Sequence, residues 1–128
     1  MVEYLAGFVG TVVMTMMILF GDRMGLMPPQ SQYRLIVDGM GGKMNEMMGV
    51  PKEMAWAVHF GIGTILHPVL IDILDLSFAS EIVYALVFAG VMIMMLSFMG
   101  APSEWKSKMS MGIIMAHLAY VIIFELLI

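Results

Sequence analysis

Three histidines, His59, His67 and His117, stand in apolar stretches of this 128-residue chain. An imidazole can ligate a metal or a haem iron, carry a proton, or hydrogen-bond a neighbour. In hydrocarbon a polar group without a partner costs about 2–4 kcal/mol, so each of these side chains needs a physical reason to be there. Two of them share the stretch PKEMAWAVHFGIGTILHPVLIDIL, from Pro51 to Leu74. At ~1.5 Å per residue above an inner boundary near Lys52 and Lys108, His59 lies ~10 Å up, His117 ~13 Å and His67 ~22 Å.

His59 and His117 therefore fall in nearly one layer on two different helices. A pair of inward imidazoles in a helical bundle is how a haem b is held by two axial ligands, which makes them candidate cofactor ligands. Neutral imidazoles bonded to a backbone carbonyl, a hydroxyl or one another account for the same pattern. Zinc is a poorer match, because the chain has no cysteine and offers no carboxylate at that level, and no metal site is assigned. His67 is ~12 Å above His59 and turned ~80° from it on an ideal helix, so it is expected apart from the other two. It precedes Pro68, whose missing N–H frees the carbonyl of Thr64 and predicts a kink near residues 64–68. His67 and Pro68, with Glu125 near the end of the last apolar stretch, outline a second, polar site in the outer half.

The elements that must position these residues follow from composition. With 61% hydrophobic and 12% charged residues, the chain has more apolar surface than a soluble domain of this size can bury. An all-α integral membrane protein is expected. Counted against the ~20 residues a helix needs to cross the hydrocarbon, four spans emerge, about 4–27, 54–74, 78–99 and 108–128, forming one four-helix bundle over residues 1–128. Pro28-Pro29, the Asp72 and Asp75 pair, and Gly100-Ala101-Pro102-Ser103 mark the connections. Small residues at Ala6/Gly10, Ala85/Ala89 and Gly112/Ala116 are the faces through which such helices approach closely.

Between the first two spans, Tyr33 to Val37 and Met40, Met44, Met47 and Met48 recur at helical spacing. They predict a short amphipathic segment in the membrane interface, broken into two pieces by Gly39, Gly41 and Gly42. All six bases, Arg23, Arg34, Lys43, Lys52, Lys106 and Lys108, fall on one side of this topology. By the positive-inside rule both termini face outward, with Asp72, Asp75, Glu81 and Glu125 as an acidic outer rim. The net charge of −4 without a basic run gives no reason to expect a nucleic-acid partner. Of the eighteen methionines none lies between Ala55 and Val91. Thioethers bind Cu(I), yet this distribution argues against a copper site open to the outside, and methionine also serves as a flexible core filler.

Three stretches, AGFVGTVVMTMMIL with MGLMP, GVPKEMAWAVHFGIGT, and MGIIMAHLAYVII, resemble a group of small integral membrane proteins of bacteria and archaea grouped as a domain of unknown function. The Trp56, His59, Phe60 and Gly63 pattern, with His117 in a later helix, carries the likeness. The resemblance implies a four-span fold in a prokaryotic plasma membrane and supplies no activity. Small size, little mass outside the bilayer and small-residue faces together suggest a non-catalytic accessory subunit of a larger membrane complex, such as a respiratory or redox one, packed against other subunits and lipid. A haem b electron carrier using His59 and His117 is the first alternative. A small transporter or channel is the second.

Overall fold

The computed structural model describes residues 1–25, 33–98, 103–104 and 106–128. Helix α1 runs over Val2–Arg23, α2 over Tyr33–Met48, α3 over Met54–Leu74, α4 over Phe78–Phe98 and α5 over Lys106–Leu127. Among the described residues there is no strand. Helices α1, α3, α4 and α5 are each long and apolar enough to cross a membrane, as the ~20-residue requirement demands. The chain is a multi-pass helical membrane protein.

Both termini and the turn after α3 lie at one end of the bundle, here termed the acidic end. That turn closes with Asp75 in the left-handed conformation (φ 48°), its N–H bonded to the Ile71 carbonyl. The opposite, basic end carries α2, Lys52 and the start of α5. Helix α5 is the centre of the packing, lying along α1 on one side and α4 on the other. Helix α1 also packs on the middle of α3, and α2 on the beginning of α3. Helices α3 and α4 are joined by a short turn but are not a packed pair along their length. The order round the bundle is thus α3, α1, α5, α4, with a seam between α3 and α4.

Small residues set these contacts, since van der Waals approach rather than hydrophobic burial joins helices in lipid. Ala6, Ala85, Ala89 and Ala116 are all buried, and Gly10 lies against the Tyr120 ring. Among the described residues nothing packs on the Gly112 position, so its expected partner role is not used there. Two apolar clusters result. One joins Ala6, Met14, Ala85, Ala116, Val121 and Phe124, and the other, nearer the basic end, Ala89, Leu96, Met109 and Ile113.

Three features differ from the sequence expectation. Helix α1 ends at Arg23, where Gly25 takes a positive φ of 73° and turns the chain, while residues 26–27 lie outside the described residues. Helix α5 starts at Lys106, two residues earlier than the apolar count placed it. Helix α2 is one continuous helix rather than two pieces. Gly41 is the reason it tolerates glycine: α2 crosses the start of α3 so closely that a Cβ at residue 41 would run into the Lys52 carbonyl.

Candidate functional site

The site is built around an irregular turn in α3. Ile62–Leu66 is a π-helical segment, in which the His67 N–H reaches back five residues to the Ile62 carbonyl. In that register the next bond would run from residue 68 to the Gly63 carbonyl, and Pro68 has no N–H to give. The Tyr120 hydroxyl of α5 donates to the Gly63 carbonyl instead. The carbonyl that proline leaves open is therefore that of Gly63, one residue earlier than an ideal α-helix predicts, and the break is absorbed as a π turn. Helix α1 closes on the same turn. A Cβ at Gly63 would strike Thr11 Oγ1, and one at Gly7 would strike the Gly63 carbonyl and the Pro68 ring. The Thr11 hydroxyl is held on its own helix, donating to the Gly7 carbonyl at 2.7 Å.

The π turn changes which face His67 presents. Eight residues of α-helix advance about 800°, which is about 80° from the starting face, whereas one extra residue taken up in a wider turn leaves about 700°, or about −20°. His59 and His67, expected on different faces, come onto one. Both line a single cavity of about 130 Å³, and His117 lines it too. His67 is thus not separate from the other two. His59 and His117 share the cavity but not a layer: counted from the acidic ends of their helices they lie about 22 Å and about 15 Å deep. The earlier start of α5 accounts for part of this stagger.

The cavity is elongated along the bundle and walled by all five helices. Toward the acidic end it meets Tyr84, Tyr120 and His67; Phe88, Ala116 and His117 follow; Met14, Ile18, Val37, His59 and Met92 surround its deeper part. Val37, from α2, is buried and lines the basic end of the cavity together with Ile18 and Met92. His67 is 5% exposed and ringed by aromatics, with centroids 4.7 Å from Tyr120, 5.2 Å from Phe124 and 5.3 Å from Tyr84. Its Nε2 is buried without a hydrogen-bond partner, as is Thr64 Oγ1.

Donor bookkeeping fixes the tautomers of the other two rings. Thr15 donates its only proton to the Thr11 carbonyl at 2.8 Å, so its Oγ1 must accept from His59 Nε2 at 3.1 Å. The proton of neutral His59 is then on Nε2 and the lone pair on Nδ1. The Ile113 carbonyl can only accept, so His117 Nδ1, 2.8 Å away, carries the proton and its Nε2 is bare. Each ring keeps one free lone pair.

Above this, Glu81 is 1% exposed, its carboxyl set against that of Glu125, and its Oε2 has no donor. Glu125, grouped from the sequence with His67 and Pro68 in the outer half and with Glu81 in the acidic rim, has its carboxyl against that of Glu81. Tyr120 lies within electrostatic reach of both Glu81 and Tyr84, and His117 within reach of both His67 and His59. The titratable groups therefore descend from Glu125 and Glu81, about 3–5 Å deep, through Tyr84, Tyr120 and His67 at about 9–11 Å, to His117 at about 15 Å and His59 at about 22 Å. Sequence reasoning passed over Tyr84, Tyr120 and Thr15. The available signal was spacing, since Tyr120 stands three residues from His117 and Tyr84 three from Glu81, each on one helical face.

A haem b does not fit this arrangement. The cavity is well under the ~300–1,000 Å³ of ordinary ligand pockets, and His59 directs Nε2, the usual iron ligand, to Thr15. Nor, among the described residues, does any group of three or more His, Asp or Glu side chains stand close enough to hold a metal unaided. No family model, curated protein or solved structure matches the chain.

Proposed function

We propose that this chain is a small, non-enzymatic transporter or channel that passes protons along the cavity, with the acidic end outward in a prokaryotic plasma membrane. The observation that supports the reading is the file of titratable groups from Glu125 and Glu81 to His59 through a cavity shared by all three imidazoles. A cavity of about 130 Å³ is several times the ~10–15 Å³ that one water needs, room for waters that join groups that do not touch. A neutral ring with a free lone pair takes up a proton from such a water and returns it. His117 must use Nε2 both ways, because Nδ1 is tied to a backbone carbonyl.

At its basic end the file stops at Val37, Ile18 and Met92, so release requires α2 to shift. A role as a purely structural subunit, packed through the exposed faces of α3 and α4, gives no reason for Glu81 Oε2 and His67 Nε2 to be buried without partners, each at a cost of about 1–3 kcal/mol. Orientation rests on the bases Lys43, Lys52, Lys106 and Lys108 sharing one end.

The test is reconstitution of the full chain into liposomes loaded with a pH dye, with a potassium diffusion potential drawing protons inward. Influx above that of protein-free liposomes, lowered several-fold by Glu81→Gln, is expected. Influx equal to protein-free liposomes at either polarity overturns the reading.

A further inference from the structure

The deeper half of the cavity has a donor set that proton conduction does not require. His59 from α3 and His117 from α5 each hold one imidazole lone pair with no hydrogen bond to it among the described residues. Met14 from α1 and Met92 from α4 line the same cavity. Each of the four spanning helices thus supplies one neutral donor, two nitrogens and two thioether sulfurs. Counted down from the acidic ends of their helices, the four residues are spread over about 7 Å of depth, from about 15 to about 22 Å. All four line the one cavity, and a shared ligand requires their side chains to reach a common point within it.

We propose that this cavity binds one soft monovalent cation, copper(I), through His59 Nδ1, His117 Nε2 and the sulfurs of Met14 and Met92. Thioether sulfur selects copper(I) among biological metals, and imidazole nitrogen is compatible with it. Zinc and the hard divalent ions are disfavoured by the absence of any thiolate in the chain and of a carboxylate among the residues lining this cavity, and by the larger desolvation of a double charge in apolar walls. Most of the other methionines gather toward the basic end or lie exposed, so these two differ in sharing a cavity with imidazole. The metal remains copper(I) throughout and no electron is transferred. A proton and the metal compete for the same lone pairs, so apparent affinity falls as pH is lowered. The inference goes beyond proton conduction and stands without it, because binding is read on the purified chain with no flux.

The experiment is anaerobic titration of the full chain in detergent with copper(I) against bicinchoninate, followed by X-ray absorption at the copper edge. One copper(I) per chain with a mixed nitrogen and sulfur shell is expected, with affinity at least tenfold lower for the near-isosteric Met14→Leu/Met92→Leu double variant and for His117→Gln. Elution of each variant as a monodisperse peak shows that its fold is retained. Failure to compete with bicinchoninate overturns the proposal. So does binding unchanged in the double variant, which would locate the metal on surface methionines, or a shell of nitrogen alone.

Discussion

Tyr120→Phe isolates the bond on which the α3 geometry depends. The substitution keeps the ring, and with it the contacts to His67 and Phe124, and removes only the hydroxyl that donates to the Gly63 carbonyl. That carbonyl faces a gap that Pro68 cannot fill. A buried acceptor left without a donor costs about 1–3 kcal/mol, and hydrogen bonds between membrane helices average about 0.6 with a maximum near ~1.7 kcal/mol. The loss expected for Tyr120→Phe is therefore about 1–2 kcal/mol, read as a shift in the unfolding midpoint in mixed micelles. Pro68→Ala returns an N–H to residue 68. In that background Tyr120→Phe is expected to cost about 1 kcal/mol less, since the backbone then supplies its own donor. A cost below ~0.3 kcal/mol, or one that is the same with alanine at 68, would refute the assignment of the Tyr120 hydroxyl as the substitute for the missing proline donor.

Glycine positions supply a contrasting pair for the same unfolding assay. Gly63→Ala meets Thr11 and is expected to destabilise by about 1–3 kcal/mol, whereas Gly61→Ala, with open space around it, gains up to about 1 kcal/mol of helix propensity. Val37→Ala thins the plug at the basic end, so proton influx into liposomes is expected to rise; unchanged influx would remove α2 from the path. An optical spectrum of the chain expressed with ample haem is expected to lack a Soret band, and a stoichiometric band would overturn the exclusion drawn from cavity size and the Thr15 bond.

The four spans were legible because length and hydropathy alone decide whether a helix crosses a bilayer, and the small residues marked the helix contacts with the exception of Gly112. The relation among the histidines was not legible. It turns on one residue of angular phase in α3, and depth counted at a uniform 1.5 Å rise and 100° turn places His67 on the wrong face. Pro68 announced a disturbance, but its form depended on Tyr120, Gly7 and Thr11 meeting the turn from two other helices. Glu81 and Glu125 were legible as members of one acidic rim; that their carboxyls meet follows from α4 and α5 packing side by side, which depth along the chain does not encode. Glycine in α2 was misread for a similar reason: Gly41 is there for a close crossing rather than for a break.

In the proposed path, protons move through the shared cavity by way of His67. His67→Phe preserves an aromatic ring among Tyr84, Tyr120 and Phe124 while removing the titratable nitrogen from the middle of the file. Voltage-driven proton influx into liposomes, compared between wild type and this variant at equal protein density and equal helix content, is the most direct measurement. The expected result is wild-type influx above protein-free liposomes and at least a tenfold loss in His67→Phe. Equal influx in the two proteins would contradict the account.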